Sequence, residues 1–178
     1  MRQNIDMNDW ERRSSHAWAE IDDYYARGEA GEADFRKRID ELASELPQDS
    51  PVAAFERACA WDSTGHPGQA VPLYQEALDR GLAGIRRRRA VIQMSSSLRN
   101  IGRVAESVEL LTAEKQNYDP DAAVLADALS AFLALCLADV GREREAVSVA
   151  LRALAPHLPR YQRSLANYAR LLVEHDPA

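Results

Sequence analysis

Three glycines at nearly constant spacing constrain this chain more than any other feature. Gly65, Gly102 and Gly141 stand 37 and 39 residues apart, in the contexts AWDSTGHPGQA, SLRNIGRVAES and CLADVGREREA. Each glycine closes one helical run and opens the next. A helix, a tight turn and a second helix at this period predict an α-solenoid of helical hairpins. Such hairpins present a groove to another molecule and seldom carry chemistry.

The rest of the composition agrees with an all-helical chain. Alanine, leucine, glutamate and arginine dominate, all good helix formers, and strand signals are nearly absent. The opening MRQNIDMNDWERRSS has no apolar signal-peptide core. The most apolar stretch, 124–140, is interrupted by Asp127 and Asp139 and reads as too short for a membrane span. The expectation is a soluble cytoplasmic protein. Cys59 and Cys136 form no CxxC or metal spacing and read as small buried hydrophobes in a reducing compartment. Charge is uneven: residues 1–50 hold 13 acids against 7 bases, while residues 51–178 hold 15 of each. All the net charge of −6 therefore lies at the N-terminal end. This divides the chain into an acidic N-terminal helical hairpin, residues 1–48, acting as a degenerate repeat or cap, and a repeat region, residues 49–178.

Along the chain, residues 1–8 read as frayed. A helix over 9–27 carries Trp10, Ala17, Trp18, Ile21, Tyr24 and Tyr25 at apolar positions. The segment Gly28-Glu29-Ala30-Gly31 reads as a turn. The next helix places Phe35, Ile39, Leu42 and Leu46 on one face. Ser50 caps a helix over 51–64, with Pro51 in its first turn. The following helix, over 69–80, contains Pro72, which is tolerated if the helix starts near Gln69 and kinks it otherwise. Helices are expected over 85–101, 104–117, 120–140 (capped by Asp119) and 143–155. A last helix over 160–175 carries Leu165, Tyr168, Leu171 and Leu172 on one side and is expected to cover the end of the solenoid.

The first repeat resembles the tetratricopeptide repeat. Ala58 and Trp61 match the small-then-large pair of that family's first helix, and Ala70 and Tyr74 match the alanine–aromatic pair of its second, with Ala77 following. The second repeat offers Ser95 and Leu98, then Ser107 and Leu111. The third offers Ala134 and Leu137, then Ala146 and Ala150. There are departures. Ala54 and Arg57 replace the family's tryptophan and leucine, no proline follows Arg80, and the periods exceed the family's 34. In the N-terminal hairpin Ile21, Tyr24 and Ala33 hold similar places, but Lys37 stands where an aromatic belongs. The segments RRRRAVIQMSSSLRNIGR, LSAFLALCLADVGR and RYQRSLANYARLL are similar to a small bacterial subgroup, tetratricopeptide repeat group 5. The resemblance spans roughly residues 52–175. It implies an all-α, right-handed α-solenoid of tetratricopeptide-like hairpins with a C-terminal capping helix. It also implies a homodimer and a role in protein–protein interaction, with no catalytic residue to carry over.

The sharpest local feature is the run Arg86-Arg87-Arg88-Arg89. With Arg80, Arg99 and Arg103 it gives seven positive charges between Asp79 and Glu106 with no acid among them. Four consecutive helical residues point four ways. Arg89, Gln93, Ser96 and Asn100 recur at helical steps, with Arg99 alongside. By analogy with the family, that face lines a concave groove, where an arginine–asparagine cluster holds a partner's carboxylate. The plainer reading is a solvated helix start whose arginines pair with nearby acids. An alternative function, a nucleic-acid-associated regulatory protein using the same arginines, lacks interleaved aromatics and is opposed by the net acidity. Tyr161, Arg163 and Tyr168 offer an aromatic and cationic edge to the groove.

The helix over 124–140 is apolar nearly all round. Leu125, Ala128, Phe132, Leu135 and Cys136 mark one side, and Leu129, Leu133, Leu137 and Val140 another. Either both sides are covered inside the chain, or one is covered by a second copy, with Leu125, Leu129, Phe132 and Leu133 as the expected dimer contact. The acidic hairpin is weighed as a partner for the arginine-rich region, in its own chain or a second one, against a plain cap. His16, His66, His157 and His175 show no metal spacing. Ser95-Ser96-Ser97 sits within a helix and reads as close packing. No phosphate-binding loop or nucleophile motif occurs. The chain is read as non-catalytic, without metal or cofactor, binding a protein or peptide partner.

Overall fold

The computed structural model describes residues 5–174, which form helices and turns without a strand. His175, expected at the end of the last helix, lies outside the described residues, as do the first four of the chain. Two compact units divide at Leu82–Ala83. The sequence boundary at 48 therefore falls inside the first unit, where the acidic hairpin packs with the first repeat.

The first unit contains α1 (Met7–Ala19), α2 (Ile21–Tyr25), α3 (Gly28–Glu45), α4 (Pro51–Ser63) and α5 (Pro67–Asp79). The single helix expected over 9–27 is two helices, jointed at Glu20. The first starts earlier than expected because Asp6 caps it, its carboxylate accepting from the backbone N–H of Asn8 at 3.0 Å. The joint lets Trp18, Ile21 and Tyr24 close over a core of Ala17, Phe35, Ile39, Leu42 and Ala60. Phe35 sits at its centre, edge-on to Trp18 at 5.0 Å and tilted to Tyr24 at 5.3 Å. A second cluster gathers Trp10, Ala43, Leu46 and Ala53, and the Trp10 indole N–H donates to the Leu42 carbonyl at 2.8 Å.

The segment read as a turn at 28–31 is instead the first turn of α3. Gly31 is buried there, and a Cβ on it would lie 2.1 Å from the Tyr24 carbonyl oxygen. That glycine serves close approach between α2 and α3, not a reversal of the chain. Helix α5 starts at Pro67, so Pro72 falls in its second turn.

The second unit contains α6 (Gly84–Asn100), α7 (Val104–Gln116), α8 (Ala126–Asp139), α9 (Glu143–Leu154) and α10 (Gln162–Leu171). The helix expected over 120–140 divides: Asp119 caps a 3-10 turn, Pro120–Leu125, and α8 follows. Pro120–Asp139 is apolar and long enough to cross a membrane by composition alone. Here it packs instead against α6, α7 and α9.

The recurring glycines end α4, α6 and α8 in the same geometry. Their φ values are 77°, 81° and 76°, the left-handed region where a side chain is strained. In each case the following N–H reaches back five residues: His66 to Trp61, Arg103 to Leu98 and Arg142 to Leu137, at 2.8–2.9 Å. This is the Schellman closure, which satisfies carbonyls the helix end leaves open. Between the hairpin helices the small residues pack as the pattern demands. Ala58, Ala70, Ala77, Ser95 and Ser107 are all fully buried, and the Ser107 hydroxyl donates to the Ser95 carbonyl at 2.8 Å. In the third repeat Ala146 is buried but Ala150 is exposed, so that pair holds only at its first member.

The last helix is rotated from its expected setting. Ala169 is the residue buried against α9, where the Ser148 hydroxyl donates to its carbonyl at 2.6 Å. Leu165 and Leu172 are half-buried beside it, while Tyr168 is 66% exposed and Leu171 also faces out. The inner stripe is therefore Leu165, Ala169 and Leu172, steps of four and three. A small residue at its centre seats the helix closely and turns the larger ones outward.

Candidate binding surface

Helix α6 buries Arg88, Ala90, Val91, Ile92, Met94, Ser95, Ser97 and Leu98. What remains is a stripe in which Arg89 and Asn100 are exposed and Gln93, Ser96 and Arg99 are half-buried. All five residues picked from the sequence thus share the uncovered side of one helix. Helical periodicity dictates this: the buried positions of α6 are committed to α7 and α8, and this stripe is left to solvent.

The arginine run divides by direction. Arg88 points inward, its Nε donating to Glu114 of α7 at 3.0 Å and its Nη2 to the Asn117 carbonyl at 2.9 Å. Arg87 meets the same carboxylate at 3.1 Å. Glu114 is itself buried, so two cations hold one buried anion in place. This ion cluster fixes the start of α6 to the end of α7, withdraws the Arg88 guanidinium from external ligands and engages that of Arg87. The sequence could not separate them from Arg89, because their acid lies at the far end of the same hairpin.

On the open stripe, Arg99 reaches Asp139 at the end of α8, with Nη2 to Oδ1 at 3.3 Å and a shorter contact from Nε. Hydrogen bonding to Arg99 holds the Asp139 carboxyl below the usual carboxylate range. The pair joins the stripe of α6 to the open side of α8. A partner carboxylate at Arg99 must therefore compete with Asp139.

The faces of α8 also separate. Leu129 is 1% and Leu133 4% exposed within the chain. Both belong to the chain's own core, facing α6, α7 or α9, so they are withdrawn from the expected dimer contact. Leu125 and Phe132 are half-buried, and Leu135, on their side, is 49% exposed. The side that the chain leaves open is the one marked by Leu125, Ala128, Phe132 and Leu135. Cys136 is buried, and that burial pushes its thiol up, away from reactive thiolate. Tyr161, Arg163 and Tyr168 are exposed.

A second feature lies within the first unit and was not read from the sequence as a site. A cavity of roughly 440 Å³ opens between α3 and α4, lined by Ala33, Arg36, Lys37, Asp40, Arg57, Ala60 and Trp61. The Arg36 guanidinium lies over the Trp61 ring, 4.8 Å from its centroid. Among the described residues its Nη1 is shut away from solvent with no hydrogen-bond partner. Arg57 donates to Asp40 at 2.6 Å and to the Ser44 hydroxyl at 2.9 Å. The signal was present in the sequence: Lys37 and Arg57 are two of the positions that depart from the repeat pattern.

Several acids of the N-terminal hairpin have partners inside their own unit. Arg13 bridges Asp9 at 2.8 Å and Glu45 at 2.5 Å, and Arg27 meets Asp34 at 2.9 Å. The bridges are exposed and individually weak, yet they spread the hairpin's negative charge across its own basic residues. Among the described residues no group of three His, Cys, Asp or Glu gathers as a metal site.

No curated protein and no solved structure matches the chain. A family model does: the tetratrico peptide repeat matches residues 51–172, from the start of α4 to just past α10. That span takes in all three glycine-closed hairpins and well over half of the sequence, and the chain belongs to the tetratricopeptide repeat family.

Proposed function

We propose that this chain is a non-catalytic adaptor or scaffold that binds an acidic protein segment along the open stripe of α6. The family is one of protein-interaction repeats and is generally non-catalytic. The observation that carries the finer reading is the common placement of Arg89, Gln93, Ser96, Arg99 and Asn100 on the one side of α6 left uncovered. Guanidinium and amide groups side by side suit a carboxylate, which takes parallel N–H bonds from both. The arginines that point elsewhere, Arg87 and Arg88, serve the fold through Glu114. That leaves too few cations in line for a nucleic-acid backbone, which rewards many phosphate contacts. Two buried cysteines, neither in a disulfide, suit a reducing compartment such as the cytoplasm. Self-association through the open side of α8, at Leu125, Phe132 and Leu135, belongs to the same reading.

The test uses an immobilised decapeptide rich in glutamate. Replacing Arg89→Glu and Arg99→Glu together lowers its affinity by about tenfold or more, with far-ultraviolet circular dichroism unchanged. Asp139→Asn, which releases Arg99, raises the affinity instead. Unchanged binding in the double variant refutes the assignment.

A further inference from the structure

We propose that the cavity between α3 and α4 is a second binding site, specific for one carboxylate on a short apolar stem. It does not rest on the α6 stripe. Three observations converge on it. First, the two departures from the repeat pattern fall together: Lys37, where an aromatic belongs, and Arg57, where leucine belongs, both line the same space. Each exchange removes a packing side chain and supplies a cation, so the void and its charge have one origin in the sequence.

Second, the charges are unbalanced within it. Arg57 and Asp40 neutralise one another. Among the described residues, Arg36 and Lys37 form no ion pair. Arg36 rests on the Trp61 face, which is itself edge-on to His66 at 5.3 Å. With Nη1 buried and unpartnered, the guanidinium is under-satisfied where it lies. A carboxylate that draws it off the indole gives that nitrogen an acceptor and takes a second bond from the Lys37 ammonium.

Third, the remaining lining is apolar and the volume suits a small group. Ala33, Ala60 and the Trp61 ring supply the walls, and roughly 440 Å³ lies in the range of small-ligand sites. The surroundings set the charge of the ligand. Residues 1–50 carry 13 acids against 7 bases, and Asp40 stands in the lining itself. A dianion or polyanion meets that repulsion, while a single carboxylate is met by the two local cations.

The carboxylate arrives either on a free acid or on a glutamate side chain of a peptide, and the experiment separates these. Butyrate, a single carboxylate on a short apolar stem, and an end-blocked Ala-Ala-Glu-Ala peptide are titrated calorimetrically into the full chain at low salt. Binding of butyrate alone assigns the site to free acids, and of the peptide alone to a protein segment. Binding of both shows that the carboxylate suffices. In each case Lys37→Gln and Arg36→Met weaken the interaction by about tenfold, while Arg160→Gln, at an exposed position outside both candidate sites, leaves it unchanged. Lys37 is exposed, so its variant keeps the fold even if the Arg36 variant does not. No heat from either probe overturns the proposal. So does equal binding by the Lys37 variant, or binding of inorganic phosphate as tight as that of the carboxylates.

Discussion

Glu114 shows how one residue decides what an arginine cluster is for. Its carboxylate is buried and is met by both Arg87 and Arg88. Removing its charge strands the Arg88 guanidinium, itself 5% exposed, in a place without water. Glu114→Gln keeps an acceptor for one N–H but loses the ion pair, and is expected to cost about 2–3 kcal/mol. Arg87→Gln is expected to cost well under about 1 kcal/mol, because Arg87 is over a third exposed and solvent compensates. Urea denaturation followed by circular dichroism distinguishes the two. The sequence exposed the run of four arginines but not their directions in space. Periodicity named the outward stripe of Arg89, Gln93, Ser96 and Asn100, since it depends only on steps along one helix. The fates of Arg87, Arg88 and Arg99 depend on Glu114 and Asp139, which lie 26 to 40 residues away.

At the scale of elements, what was legible is what local chemistry dictates. Ser50 and Pro51 start α4, Asp119 starts the 3-10 turn, and the glycines close three helices with the same pair of hydrogen bonds. What was not legible depends on neighbours. The joint at Glu20 carries no proline or glycine, and is explained only by the closure of Tyr24 over Phe35. Glycine at 31 looked like turn chemistry and is a packing residue. Two glycine variants make the difference measurable. Gly31→Ala improves helix propensity by about 1 kcal/mol, yet its methyl group meets the Tyr24 carbonyl, and the net effect is a loss of about 1–3 kcal/mol. Gly68→Ala, in the first turn of α5, meets nothing within 4 Å and gains about 0.4–1 kcal/mol. Thermal melts that move in opposite directions support this account. A stabilising Gly31 variant contradicts it.

For the molecule as a whole, the repeat count was readable and the borders of its units were not. Composition separates the first 50 residues by charge, whereas the chain packs its N-terminal hairpin into one unit with the first repeat. Acid content does not mark that border, because Asp40, Glu45 and Glu56 all make their contacts inside the unit, to Arg57, Arg13 and Trp18. Apolar content was ambiguous in a similar way. An all-round apolar α8 left open whether the chain itself or a second copy covers it, and burial inside the chain leaves a strip around Leu135. If that strip joins two copies, light scattering across a dilution series gives about twice the 19.8 kDa of one chain, and Leu135→Glu restores the single mass. A single-chain mass at every concentration removes the contact.

The division into two units has an optical consequence. All three tryptophans, Trp10, Trp18 and Trp61, precede Leu82, and Ala83 onward has none. Indole emission therefore reports on one unit alone. The second unit offers a ligand on α6 no indole of its own, while one that lifts Arg36 from Trp61 changes the emission directly. The chain carries a built-in label that tells its two candidate sites apart.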